Sequence, residues 1–264
     1  MTYTYEQLAK MIDHSLLHPT MTDRELEDGC KIAAKYGVAS VCIKPYAVER
    51  AVAWLQGSGV LVGAVIGFPH GNSGTESKRY ETELACRDGA VEIDMVINIG
   101  KALGGDWDYV ERDVKAVCDE AHRHGAKVKV IFENDYLAKG GAGLTSDDFK
   151  RKLCQLCERA GADWVKTSTG YGFVKQPDGS YNYLGATEHD LALMRASCSA
   201  KVQVKAAGGV RDLDGLIKVR DLGATRCGAT ATAAMMDEYR RREAAERAGE
   251  APSRIAGAIG AGGY

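Results

Sequence analysis

Charged residues recur inside segments that otherwise read as buried strands, and they fall on one face. In Val91-Glu92-Ile93-Asp94-Met95-Val96 the apolar residues take the odd positions, while Glu92 and Asp94 share the opposite side, because successive strand side chains alternate faces. Lys127, Lys129 and Glu133 line up opposite Val128, Val130 and Phe132, Lys166 opposes Val165 and Thr167, and Gln203 and Lys205 oppose Val202 and Val204. An unpaired charge in such a place costs several kcal/mol, so each group must be paired or put to use. A nucleophilic lysine has to lose its proton near neutrality, starting from about 10.4. Two ammonium groups about 6 Å apart at an effective dielectric near 20 repel by roughly 2.8 kcal/mol, about two pKa units, and partial desolvation adds to this. Lys205 beside Lys166 would therefore make Lys166 a Schiff-base nucleophile that needs no cofactor. Asp94 would serve as general base or proton relay for carbinolamine formation and breakdown.

Other charged and nucleophilic residues have plainer readings. Glu92 and Lys127, with Lys129, come earlier in their strands and are expected to pair as an ion network near the floor of the sheet structure. Cys154-Gln-Leu-Cys157 lies inside a helix, whereas redox motifs of that spacing sit at helix N-termini, so it reads as a buried helix flank. His122-Arg-His124 has a spacing that points the two rings apart on a helix. A cluster of His14, His18 and His70 is the one route to a metal-dependent alternative, and no metal site is expected. Cys42 reads as core or site lining.

The elements that must position these groups alternate from end to end. Capping-box spacings at Thr22–Glu25, Thr145–Asp148 and Thr187–Asp190 open helices. Gly89, Gly125 and Gly161 follow helices at equal intervals, 125 − 89 = 161 − 125 = 36 residues, the length of one strand–helix unit. Eight strands are expected: Met11–His14, Ser40–Ile43, Leu61–Gly67, Val91–Ile97, Lys127–Glu133, Trp164–Ser168, Val202–Ala206 and Thr225–Gly228. Such repetition points to a (β/α)8 barrel, here one domain over residues 1–264 with 250–264 as a mobile tail beyond a basic helix near Tyr239–Arg247. The rival doubly wound sheet lacks a glycine-rich nucleotide motif after the first strand. In a parallel barrel the apolar faces pack under helices and the charged set points inward. Asp94, Lys166 and Lys205 lie nearest the C-terminal mouth, where barrel active sites form.

Composition narrows the function classes. Among 264 residues, 34 Lys+Arg against 36 Asp+Glu leave a net charge of −2, without the basic footprint of a nucleic-acid binder. The longest apolar run, Gly59–Phe68, is about half a bilayer span, so no membrane partner is expected. Met1–Gln7 lacks the pattern of a secretory signal, and eight scattered cysteines suggest reduced thiols in the cytoplasm.

Val165-Lys166-Thr167-Ser168-Thr169-Gly170 followed by Gly185-Ala186-Thr187, with Glu92–Asn98 and Val204-Lys205-Ala206-Ala207-Gly208-Gly209-Val210-Arg211, resembles the deoxyribose-phosphate aldolases. The similarity runs over nearly the whole chain, through Ile12-Asp13-His14-Ser15-Leu16-Leu17, Val41–Pro45, Gly67-Phe68-Pro69 and Val130–Glu133. The resemblance implies a class I barrel enzyme that reversibly cleaves 2-deoxy-D-ribose 5-phosphate to acetaldehyde and D-glyceraldehyde 3-phosphate, with no cofactor. It implies Lys166 as Schiff-base former, Asp94 as proton donor and acceptor, and Lys205 as electrostatic activator. Tyr264 either matches a family tyrosine on a mobile tail, assisting proton transfer at the enamine carbon, or is an incidental terminal aromatic. Asp13, Ser15, Thr167, Thr169 and Gly170 join the expected substrate contacts. Gly208-Gly209 after the seventh strand, and Gly228 with Thr230 after the eighth, are expected to hold the phosphate, since glycine admits backbone amides and helix N-termini favour anions. The partners implied are small aldehydes and sugar phosphates, with a homodimer or higher oligomer left open.

Three departures bear on the acceptor. Thr230-Ala231 stands where the family often has two serines, His18 where a lysine usually precedes Pro19, and Gly172–Leu184 is longer than the family loop. Pro177-Asp178-Gly179 reads as a turn, making this stretch a hairpin-like excursion at the mouth that narrows the site, covers it or meets a neighbouring subunit. The alternative is thus a related class I aldolase acting on a different, even unphosphorylated, aldehyde. The set Asp94, Lys166 and Lys205 speaks against a catalytically silent barrel.

Overall fold

Strand segments with one apolar face can bury it only under helices, and the chain does this eight times. The computed structural model describes residues 2–249 and 259. Its barrel strands are β1 (Ile12–Leu16), β2 (Ser40–Ile43), β3 (Leu61–Ile66), β4 (Glu92–Val96), β5 (Lys127–Ile131) and β6 (Trp164–Lys166). A small antiparallel pair, β7 (Val174–Lys175) and β8 (Tyr181–Asn182), intervenes before β9 (Gln203–Ala207) and β10 (Ala224–Ala229) complete the ring. The eight parallel strands close in the order β1-β2-β3-β4-β5-β6-β9-β10, with β10 returning to β1. The expected (β/α)8 barrel is therefore present.

Strand ends differ from the sequence pattern by a few residues. The first strand continues to Leu16 because His14, Ser15 and Leu16 pair with Val41, Cys42 and Ile43 of β2. β6 stops at Lys166, and the following Thr167 N–H still reaches the Lys205 carbonyl at 3.3 Å.

Between strands, local signals start and stop the helices. At α2 (Asp23–Tyr36) the Thr22 hydroxyl accepts from Glu25 N–H, while the Glu25 carboxylate accepts from Thr22 N–H at 2.7 Å. Gly37 ends the helix at φ 63°, a left-handed turn that a side chain would strain. On α6 (Trp107–Arg123) and α7 (Ser146–Ala160) the stripes Val110, Val114, Val117, Ala121 and Phe149, Leu153, Leu156, Ala160 are buried. They share one core cluster with the outward strand residues Ile93, Val128, Val130, Val165 and Val204, all fully buried. α9 (Leu213–Asp221) starts at Asp212, whose carboxylate accepts from Gly215 N–H at 2.7 Å, and α10 (Thr232–Arg247) follows β10. Of the expected tail, only Ile259 is among the described residues, and Tyr264 lies outside them. Among the described residues no helix is long and apolar enough to cross a membrane.

Candidate active site

The inward strand faces meet in one buried ion network. Lys129 Nζ lies 2.7 Å from Asp13, 2.5 Å from Glu92 and 3.2 Å from Asp94. Lys205 Nζ bridges Asp13 at 2.6 Å and Asp94 at 2.7 Å, and Arg226 pairs with Glu92 at 2.6 Å and with Asp13. Among the described residues Lys166, the last residue of β6, pairs only with Asp94, at 2.7 Å. Three carboxylates thus face four cations. The surplus positive charge falls to the cation with fewest partners, and that is Lys166.

The network also corrects the expected floor. Lys127 is exposed, with its ammonium 5.5 Å from the centre of the Trp164 ring, because the first residue of β5 projects below the closed ring. Arg226 takes its place beside Glu92, and Asp13 is held by Lys129, Lys205, Arg226 and the Ser40 hydroxyl.

Proton affinities follow from this wiring. Burial pushes the Lys166 amine below the usual lysine range; Asp94 opposes the shift and the Lys205 ammonium reinforces it. Burial also acts on Lys205, but Asp13 and Asp94 outweigh it and hold that group charged, well above the usual range. Asp94 is opposed by burial yet kept well below the usual carboxylate range by Lys129, Lys166 and Lys205. The two amines lie 2.7 Å from the same Asp94 Oδ2, so they are no farther apart than twice that distance. The sequence argument gave Lys205 the leading part in lowering Lys166; in the folded protein burial leads and Lys205 assists.

Above these amines opens a cavity of about 460 Å³. Asp13, Ser15, Lys166, Thr169, Gly170, Lys205, Gly208, Gly209, Gly228 and Thr230 all border it. Thr167 does not: its hydroxyl donates to the Ala207 carbonyl and accepts from the Ala207 amide, both at 3.0 Å, sewing β6 to β9. Asp94 sits beneath the two lysines and is fully buried. The loop after β9 presents Gly208 and Gly209 at φ 85° and 83°, and the loop after β10 runs into α10, so both face the cavity with backbone rather than bulk.

Of the other residues at the site, Arg211 and Tyr183 had no assigned part in the sequence reading, whereas Cys42 was expected as core or site lining. Arg211 lies beside the glycines, a cation the motif contained without singling out. Cys42 borders the cavity with its thiol pushed up to about 11 by burial, so it is a neutral lining group near pH 7. Glu133, just behind, accepts from Thr169 N–H at 3.2 Å and contacts the Thr169 hydroxyl; burial raises its carboxyl to about 7. Its backbone is left-handed at φ 59°, a turn that strand alternation could not reveal. Tyr183 also borders the cavity, from the segment longer than the family pattern. Of the three candidate histidines, His14 Nδ1 meets the Thr232 hydroxyl at 2.8 Å and His18 Nδ1 the Thr20 hydroxyl at 2.7 Å. Among the described residues no group of three His, Cys, Asp or Glu side chains is disposed to hold a metal ion.

A model of the family described as DeoC/LacD family aldolase matches residues 7–237. The chain belongs to the DeoC/LacD aldolase family. It is therefore an aldolase, a lyase. It is 49% identical over 239 residues to a deoxyribose-phosphate aldolase of Rhodopirellula baltica, covering 90% of this chain and 92% of that one. It is 42% identical over 224 residues to a deoxyribose-phosphate aldolase of Aciduliprofundum boonei, covering 85% and 93%. Among solved structures, a tetrameric deoxyribose phosphate aldolase from Aeropyrum pernix superposes with a TM-score of 0.76 at 28% identity, covering 90% of this aldolase and 92% of that chain.

Proposed function

We propose that this aldolase cleaves 2-deoxy-D-ribose 5-phosphate reversibly to acetaldehyde and D-glyceraldehyde 3-phosphate through a Schiff base on Lys166. The observation that carries the reading is the pair of amines on one carboxylate oxygen at the mouth of the barrel. One amine is lowered by burial and the other is held charged by two aspartates.

The free amine of Lys166 adds to C1 of the open-chain sugar, forming a C–N bond and a carbinolamine. Loss of water gives the protonated imine, which draws electrons toward nitrogen. The 3-hydroxyl gives up its proton, the C2–C3 bond breaks, and its electron pair becomes the enamine double bond as D-glyceraldehyde 3-phosphate departs. Protonation at C2 and addition of water release acetaldehyde and restore the amine. Asp94 is fitted to relay protons at the carbinolamine, because its Oδ2 lies 2.7 Å from Lys166 Nζ. Lys205 stays cationic throughout and prevents Asp94 from drawing a proton back onto Lys166. Asp13 fixes Lys205 from beneath.

Gly208, Gly209, Gly228 and Thr230 with Arg211 give the cavity an amide-rich, cationic rim suited to a phosphate. Ser15, Thr169 and Gly170 also border the cavity and would meet the sugar hydroxyls. Tyr264, outside the described residues, enters this scheme as the proton carrier at C2. A homo-oligomeric state is part of the same proposal, as the Aeropyrum pernix relative is described as tetrameric. So is a cytoplasmic location, since all eight cysteines are free thiols. The test is direct: the purified protein with 2-deoxy-D-ribose 5-phosphate, followed by NMR, should yield both aldehydes in equal amounts, and Lys166→Ala should yield neither. Cleavage that survives Lys166→Ala, or none by the wild type, overturns the proposal.

A further inference from the structure

The segment Gly172–Leu184 takes part in none of these steps, yet its two feet are firmly held. At the first foot Glu133 accepts from Thr169 N–H at 3.2 Å, and a Cβ added to Gly172 would lie 2.4 Å from Glu133 Cδ. At the second foot the Asp135 carboxylate accepts from Leu184 N–H at 2.5 Å and from Gly185 N–H at 3.0 Å. The chain then presses on the loop after β9: a Cβ on Gly185 would come within 2.7 Å of the Gly208 carbonyl carbon, and Ala186 N–H donates to the Gly208 oxygen at 3.1 Å. Between the feet the Phe173 and Tyr183 rings meet edge to face at 5.4 Å.

This mounting treats one residue differently from its neighbours. Tyr181 and Leu184 are 63% and 57% exposed, whereas Tyr183 is 4% exposed. Its ring borders the same cavity as Gly208, Gly209 and Arg211, and its Cε2 lies 3.3 Å from where a Gly208 side chain would begin. We infer that Tyr183 is a specificity-determining residue whose ring walls the end of the cavity that receives the charged terminus of the acceptor aldehyde. Asp135 and Glu133 are positioning residues that hold its hairpin. The inference rests on the aldolase reading above. An aromatic wall there keeps water from the anion, which strengthens its contacts with backbone amides and Arg211. It also occupies the volume that a bulkier acceptor would need. The donor half of the reaction, at Lys166 and Asp94, does not require the ring.

The experiment separates the two halves. Exchange of acetaldehyde methyl protons with deuterated solvent, followed by NMR, reports donor chemistry alone; kcat/KM for cleaving 2-deoxy-D-ribose 5-phosphate and 2-deoxy-D-ribose reports the acceptor end. Tyr183→Ala should keep proton exchange within about twofold. It should lose about tenfold or more in kcat/KM for the phosphorylated sugar, chiefly through KM, with a smaller change for the unphosphorylated one. Tyr183→Phe, which keeps the ring, should retain the wild-type ratio between the sugars, and Asp135→Ala should lower it. An unchanged ratio in Tyr183→Ala, an equal loss of proton exchange and of both cleavages, or a Tyr183→Phe ratio as low as that of Tyr183→Ala overturns the inference. A wild-type protein that exchanges acetaldehyde protons yet cleaves neither sugar counts instead against the substrate reading.

Discussion

Replacing Lys205 by leucine removes one of the two amines on Asp94 Oδ2 while leaving the rest of the network paired. Asp13 keeps Lys129 and Arg226, and Asp94 keeps Lys129 and Lys166, so the barrel should still close. Two changes then act on Lys166 in the same direction. It loses the repulsion of a neighbouring ammonium, and it no longer shares Asp94 with Lys205. At about 5 Å and an effective dielectric near 20, one unit charge on another is worth about 3 kcal/mol, or about two pKa units. Asp94 between them screens part of this, so the Lys166 amine should rise by about one to two units. Burial, the larger cause of its low value, remains in the variant, and the amine should stop short of the free-lysine range. The free-amine fraction near neutrality then falls. The assay is kcat/KM for 2-deoxy-D-ribose 5-phosphate across the alkaline range, with acetaldehyde proton exchange measured in parallel. Both should drop at neutral pH and recover as pH rises, with the acid limb moved up by about one to two pH units. A uniform loss with the limb unmoved would show that Lys205 positions groups without tuning the nucleophile. A limb moved to lower pH would refute the electrostatic argument outright.

The remaining predictions concern the parts that hold this arrangement. Lys129→Met removes the cation that Asp13, Glu92 and Asp94 share; leaving buried carboxylates short of a partner should cost about 3–5 kcal/mol in denaturant unfolding, and a loss under about 1 kcal/mol would contradict the network. Glu133, raised from 4.5 to about 7, binds a proton more tightly folded than unfolded, so its contribution is fully present below its unfolded value and is lost as pH rises through about 7, a change of about 3 kcal/mol. Against Glu133→Gln, wild-type stability should therefore decline over that window, and parallel curves would refute the assignment. Chelator treatment should leave cleavage unchanged, since every proposed step is carried by side chains of the protein itself; loss of activity restored by a divalent cation would contradict it.

How much of this was readable in the sequence depends on what each feature requires. Alternation in Glu92–Val96, Lys127–Ile131 and Gln203–Ala207 revealed the inward charges because each strand has one wholly apolar face. Arg226 escaped that reading, since β10 carries no clean alternation and its register shifts between Ala224 and Arg226. Lys127 was misplaced for the opposite reason: its strand alternates well, but its first residue projects past the closed ring. Local spacing cannot give burial depth, and so the sequence argument credited Lys205 with an effect that burial leads. Tyr183 was out of reach altogether. Its inward turn depends on Asp135 and Gly208, residues far away in the chain that meet only once the barrel has closed.

The central claim is that Lys166 is the amine that becomes covalently attached to the substrate. Borohydride reduction in the presence of acetaldehyde, followed by peptide mass mapping, tests it most directly, because reduction fixes the imine where it forms. An ethyl group confined to the peptide carrying Lys166, and absent from Lys166→Ala, is the outcome the account predicts. An ethyl group on Lys205 or another lysine, or none at all in an enzyme that cleaves the sugar, would contradict it.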